Sequence, residues 1–99
     1  MTRRRTKLEI YLEVLRIIKS GTSKPTRIMY GANLSWKPLQ ESLRSMISQD
    51  LIREIDERDS RDKRTNTTYE ITQKGENVVR YFSRAKDLFQ LEEIARIAS

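Results

Sequence analysis

Apolar residues recur at helical spacing along most of the chain and alternate with polar ones in two short runs. From Leu8 to Ser20, Leu8, Tyr11, Leu12, Leu15 and Ile18 line one side, and Ile10, Val14 and Ile17 widen the stripe. Glu9, Glu13, Arg16 and Ser20 leave a narrow polar seam, so this helix must be covered on several sides. Gly21 ends it. A short second helix lies within Thr22 to Tyr30, with Pro25 in its first turn behind Ser23 or Lys24 as cap. Ile28 and Met29 pack inward there while Lys24 and Arg27 face out. Tyr30 reads first as a core filler with its hydroxyl hydrogen-bonded, and a phosphate contact is the alternative. Gly31 has the backbone freedom that suits the end of this helix.

The third helix runs from Ser35 to about Gln49. Ser35 is a good N-cap, and Pro38 is tolerable only in a first turn, where its missing N–H has no helical partner. Leu39, Leu43, Met46 and Ile47 face a core, and Lys37, Gln40, Glu41, Arg44 and Ser48 look outward. Two strands follow: Leu51 to Ile55, with Leu51 and Ile55 on one face, and Thr68 to Ile71. They pair as a hairpin joined by a long polar loop from Asp56 to Thr67. Thr72 caps a last helix that can run through Ala98, about 26 residues and about 39 Å at 1.5 Å per residue. A domain of this size cannot bury all of it. Val78, Tyr81, Phe82, Ala85, Leu88, Phe89, Leu91, Ala95 and Ala98 form its apolar stripe, and the commonest partner for such a stripe is a second copy of the chain. Folding back on its own domain is the alternative.

Two helices joined by a tight turn make a helix-turn-helix, whose second helix enters the DNA major groove, and the hairpin makes it a winged helix. The expected class is therefore mainly α with a small β-hairpin. It divides into a basic arm (1–7), a winged helix-turn-helix domain (8–72) and a dimerisation helix (73–99).

Charge sharpens this reading. Twenty Lys and Arg against fourteen Asp and Glu leave +6 over 99 residues. Residues 24–49 hold four cations and one acid, and residues 2–7 hold four cations and no acid. The excess is thus collected in the arm and the helix-turn-helix, as phosphate neutralisation requires. The candidate DNA contacts are Arg3, Arg4 and Arg5 in the arm, Lys24 and Arg27, then Ser35, Trp36, Lys37, Gln40 and Arg44. Gln suits adenine edges and Arg suits guanine edges, each through two hydrogen bonds. Trp36 either caps the core between helices or packs on sugar and phosphate. Glu41 either accepts from a cytosine amino group or orients Lys37 or Arg44. Arg61, Lys63 and Arg64 cluster near the wing tip, but four cations and four acids between Asp56 and Arg64 leave the wing without net pull.

No cysteine and no histidine are present, which removes thiol chemistry, disulfides, the commonest general base and the commonest metal ligand. No pair of catalytic side chains is placed by a motif, so neither an enzyme nor a cofactor is expected, and no small-molecule substrate is evident. No apolar run of membrane-span length and no signal-peptide core occurs, which points to a cytoplasmic, nucleoid-associated protein without a membrane partner.

The run Thr26-Arg27-Ile28-Met29-Tyr30-Gly31-Ala32-Asn33-Leu34-Ser35, with Tyr69-x-Ile71-Thr72-x-Lys74-Gly75-Glu76, resembles the archaeal "ten-a" family of small basic chromatin-associated proteins. That resemblance implies double-stranded DNA as partner. It also implies a homodimer held by an antiparallel coiled coil of the C-terminal helices with a winged-helix head at each end. The charge-balanced wing and the arginine-rich arm depart from the family. The expected function is a dimeric architectural DNA binder with weak sequence selectivity. An operator-specific regulator is the first alternative, and a protein-interaction winged helix within a larger assembly is the second.

Overall fold

Thr6 starts the first helix: its backbone is extended (φ −72°, ψ 163°) and its hydroxyl accepts the Glu9 N–H at 3.1 Å. The computed structural model describes residues 5–58 and 65–98, with side chains for 5–56 and 67–88. Helix α1 spans Lys7–Lys19, α2 Pro25–Ala32, α3 Trp36–Ser48 and α4 Gln73–Ala98. Strands β1 (Ile52–Arg58) and β2 (Thr65–Ile71) lie between α3 and α4.

The first three helices stop in the same way. Gly21, Asn33 and Asp50 take φ of 108°, 52° and 61°. Each positive-φ residue turns the chain so that two N–H groups reach back to the last turn. Thr22 donates to the Ile17 carbonyl at 3.3 Å, Leu34 to Met29 at 3.1 Å and Leu51 to Met46 at 2.9 Å. The left-handed residue after α2 is thus Asn33, and not Gly31 as its glycine suggested. Gly31 lies inside α2 against α1, where an added Cβ would stand 3.3 Å from Ile17 Cδ1. It serves close helix approach.

The core gathers Val14, Leu15 and Ile18 of α1, Ile28 and Ala32 of α2, Leu39, Leu43 and Met46 of α3, Leu51 after it, Ile52 of β1 and Val79 of α4. Leu8, expected on the packed stripe, is exposed at the start of α1. Pro38 sits in the first turn of α3, and its carbonyl accepts the buried Ser42 hydroxyl at 2.9 Å.

The hairpin pairs Ile52 with Ile71 and Glu54 with Tyr69, and continues to Arg58 opposite Thr65. Both strands are longer than their apolar residues predict, because polar cross-strand pairs such as Thr67 Oγ1 to Asp56 Oδ1 (2.9 Å) extend the ladder. Leu51, expected on one face with Ile55, is buried in the core but lies just ahead of β1, where it closes α3; Ile52 beside it is buried as well, and Ile55 is only half-buried. The Tyr69 N–H donates to the Ser23 carbonyl at 3.0 Å, tying β2 to the α1–α2 connection.

A clasp joins α3 to α4. The Thr72 hydroxyl donates to the Asp50 carbonyl at 2.6 Å and accepts the Gly75 N–H at 3.0 Å, capping α4 as expected. Lys74 Nζ donates to the Gln49 carbonyl at 2.8 Å, at the C-terminal end of α3. Helix α4 then packs on the body through Val79 and through Ser83, whose hydroxyl oxygen accepts from Arg16 Nη2 at 3.4 Å, before it extends outward. The molecule measures 65 × 33 × 21 Å with a radius of gyration of 16.4 Å, against about 13 Å for a compact chain of this length.

Candidate nucleic-acid interface

The burial of Leu39, Leu43 and Met46 fixes which side of α3 turns to solvent. Lys37, Glu41, Arg44 and Ser48 are exposed on it, and Gln40 is half-buried. Trp36 is 48% exposed: its ring caps no closed core. It stands instead at one wall of a groove of about 320 Å³ between α3 and the hairpin. Gln40, Arg44 and Ile47 continue that wall, and Glu54, Thr67, Tyr69 and Pro25 complete the groove. The Tyr69 phenol is held above its usual value of 10.0, first by burial and then by the neighbouring carboxylates of Glu54 and Asp56. The hairpin side of the groove is therefore anionic, and the α3 side cationic.

Ser35 occupies the N-cap position of α3 with extended backbone, yet its side chain makes no capping hydrogen bond, and no acid lies in the first turn. The positive end of the α3 dipole is left open to an anion. Among the described residues, Lys24, Arg27, Lys37 and Arg44 have no ion pair or side-chain hydrogen bond. Uncompensated cations on α2 and α3 match the electrostatic footprint that phosphate contact demands.

Other expected positions change. Arg5, placed in the arm, is drawn onto the body, where its guanidinium binds Glu13 Oε2 at 2.5 Å and the Ala32 and Asn33 carbonyls at 2.6 and 2.9 Å. Tyr30 is no core filler: it is 74% exposed. It lies two residues, about 200°, from the fully buried Ile28, and so points away from the core. A helical wheel anchored on Ile28 and Ala32 would have revealed it. Glu54, Thr67 and Tyr69 were not foreseen as groove residues, since only the hairpin register brings them beside α3. Arg3, Arg4, Arg61, Lys63 and Arg64 lie outside the described residues.

On α4, Tyr81 and Leu88 are 68% and 62% exposed, and Phe82 and Ala85 are half-buried. Tyr81 and Phe82 meet edge to face with ring centroids 5.4 Å apart. Val78, expected at a subunit interface, packs instead against the chain's own core, and Val79 is a core residue. The side chains of Phe89, Leu91, Ala95 and Ala98 lie outside the described ones. No described helix is long and apolar enough to cross a membrane.

Three helices, a helix-turn-helix and a two-stranded wing beside α3 define a winged helix, a DNA-binding fold. Residues 4–90 match the winged helix-turn-helix family, and the chain belongs to it. It is 31% identical over 88 residues to the uncharacterized protein MJ0287 of Methanocaldococcus jannaschii, covering 89% of this chain and 77% of that one. The fold is similar to that of smu.1704 from Streptococcus mutans, with a TM-score of 0.78 at 16% identity over 97% of this chain and 94% of the other. It is also similar to a PadR family transcription regulator from Clostridium difficile, with a TM-score of 0.72 at 14% identity over 91% and 98% of the two chains.

Proposed function

We propose that this chain is a dimeric, architectural binder of double-stranded DNA with weak sequence selectivity, of the kind the "ten-a" resemblance implies. The observation that carries this is the exposed cation set Lys24, Arg27, Lys37 and Arg44 of the helix-turn-helix, which has no ion pair among the described residues. Residues 24–49 hold four cations and one acid, and a polyanion relieves the mutual repulsion of such a cluster by meeting all of its cations at once. In this reading α3 enters the major groove, phosphates meet Lys24, Arg27, Ser35 and Lys37, and Gln40 and Arg44 reach base edges. Arg3 and Arg4, with Arg61, Lys63 and Arg64 at the wing tip, add flanking contacts. The exposed stripe of α4 receives a second copy, so that two heads engage DNA together. Such a protein resides with the nucleoid.

A second reading, an operator-specific regulator, is favoured by the groove that sets Gln40 and Arg44 beside Trp36, a geometry suited to selective readout. One experiment tests both. Duplex titration at several salt concentrations yields a steep linear fall of log affinity with log salt if phosphate contacts dominate. A salt-independent or negligible affinity overturns the DNA-binding reading. Footprinting then separates the two roles: uniform coating marks the architectural protein, and a protected palindrome with regular half-site spacing marks the regulator.

A further inference from the structure

We propose that Arg5 is a positioning residue that fixes the turn aiming α3, and is not a phosphate contact. It rests on the DNA-binding reading above. The Arg5 guanidinium has three acceptors on two helices. Nη1 donates to Glu13 Oε2 of α1 at 2.5 Å and to the Ala32 carbonyl at 2.6 Å, and Nη2 donates to the Asn33 carbonyl at 2.9 Å. Ala32 closes α2, and Asn33 is the left-handed residue that begins the turn into α3.

Each helix end leaves carbonyls without intrahelical partners, at the negative pole of the helix dipole. A planar, permanently charged fork satisfies two of them together, which the single ammonium of lysine does not. Glu13 holds that fork from α1, with its side chain 41% exposed and that of Arg5 29% exposed. The turn at Asn33 is otherwise kept by two backbone bonds, Asn33 N–H to the Tyr30 carbonyl and Leu34 N–H to the Met29 carbonyl, at 3.2 and 3.1 Å. Arg5 thus ties α1 to the residue whose backbone sets the direction of α3. Three of the five guanidinium N–H donors are thereby engaged within the chain, which leaves Nε–H and one Nη2–H.

The test uses the full chain with Arg5→Ala, Arg5→Lys, Glu13→Ala and Glu13→Gln, titrated with duplex DNA across a salt series. Arg5→Ala and Glu13→Ala weaken binding alike, by about three- to tenfold, with the salt slope unchanged. Glu13→Ala is the decisive variant, because it makes the chain more positive and charge alone would tighten binding. Glu13→Gln keeps an acceptor and stays near the parent, while Arg5→Lys keeps the charge yet binds as weakly as Arg5→Ala. Tighter binding by Glu13→Ala, or a slope reduced by about one phosphate in Arg5→Ala with recovery in Arg5→Lys, overturns the proposal. Amide exchange at Asn33 and Leu34 reads the turn without DNA: it accelerates in both alanine variants, and unchanged exchange overturns the proposal even where DNA titration fails. Absence of salt-dependent binding by the parent chain overturns the DNA-binding reading alone.

Discussion

Gly75 shows how a single residue carries a contact between elements. A Cβ built there would lie 2.2 Å from the Leu51 carbonyl oxygen, a backbone atom that cannot swing aside. Gly75→Ala is therefore expected to destabilise the fold by about 3 kcal/mol or more, measured by denaturant unfolding. A loss below 1 kcal/mol would show that the clasp is looser than its geometry. Asp50 gives the opposite sign. Its φ of 61° is unfavourable for a residue with a side chain, and its carboxylate ends α3 at the pole that disfavours anions. Asp50→Gly should raise stability by about 0.5–1 kcal/mol, read as a higher thermal midpoint with unchanged helix content. A lower midpoint would assign Asp50 a role that its contacts do not contain.

Among the elements, the hairpin and α4 behave differently. The hairpin places Tyr69 between burial and the Glu54 and Asp56 carboxylates, which raises its ionisation above 10.0 in the folded state. The sign follows from linkage: the folded chain prefers the neutral phenol. The stability linked to it is intact below pH 10.0 and is lost as pH rises through the folded value. Unfolding of the parent chain and of Tyr69→Phe, compared from pH 9 to 11.5, should show the parent losing more stability above pH 10; parallel curves would refute this. Helix α4 poses a question of cover. Its first turns reach the core through Val79, whereas Tyr81 and Leu88 face solvent within the single chain. Truncation after Phe82 should yield monomers by sedimentation with much weaker DNA binding, through loss of two-site attachment. A truncated chain that remains dimeric would move the interface elsewhere.

For the whole molecule, the cations of α2 and α3 lie on the winged-helix body, and α4 extends from it. If that body grips DNA as proposed, Lys37→Ala and Arg44→Ala should each weaken binding by about 1 kcal/mol and lower the salt slope by about one when the contact is a phosphate. Weakening without a change of slope would assign the residue to a base edge. Unchanged affinity in both would place the binding surface away from α3.

The order of elements was legible in the chain because helical spacing, Pro25, Pro38 and Thr72 are local signals, and local chemistry starts a helix wherever it occurs. The placement of charge was legible for the same reason, since it needs only counting. Faces within a helix were legible as well, with Leu39, Leu43 and Met46 turned inward and Lys37, Glu41 and Arg44 outward as their spacing predicts, but contacts between elements were not. Arg5 became a brace, Ile52 joined Leu51 in the core, and Asn33 took the turn assigned to Gly31. Each of those outcomes depends on residues far apart in sequence: the nearness of α1 to α2, the register of β1 on β2, and the closure of α3 under Thr72. Spacing along the chain fixes neighbours within one element, whereas contact between elements is set by packing, and packing is a property of the assembled core alone.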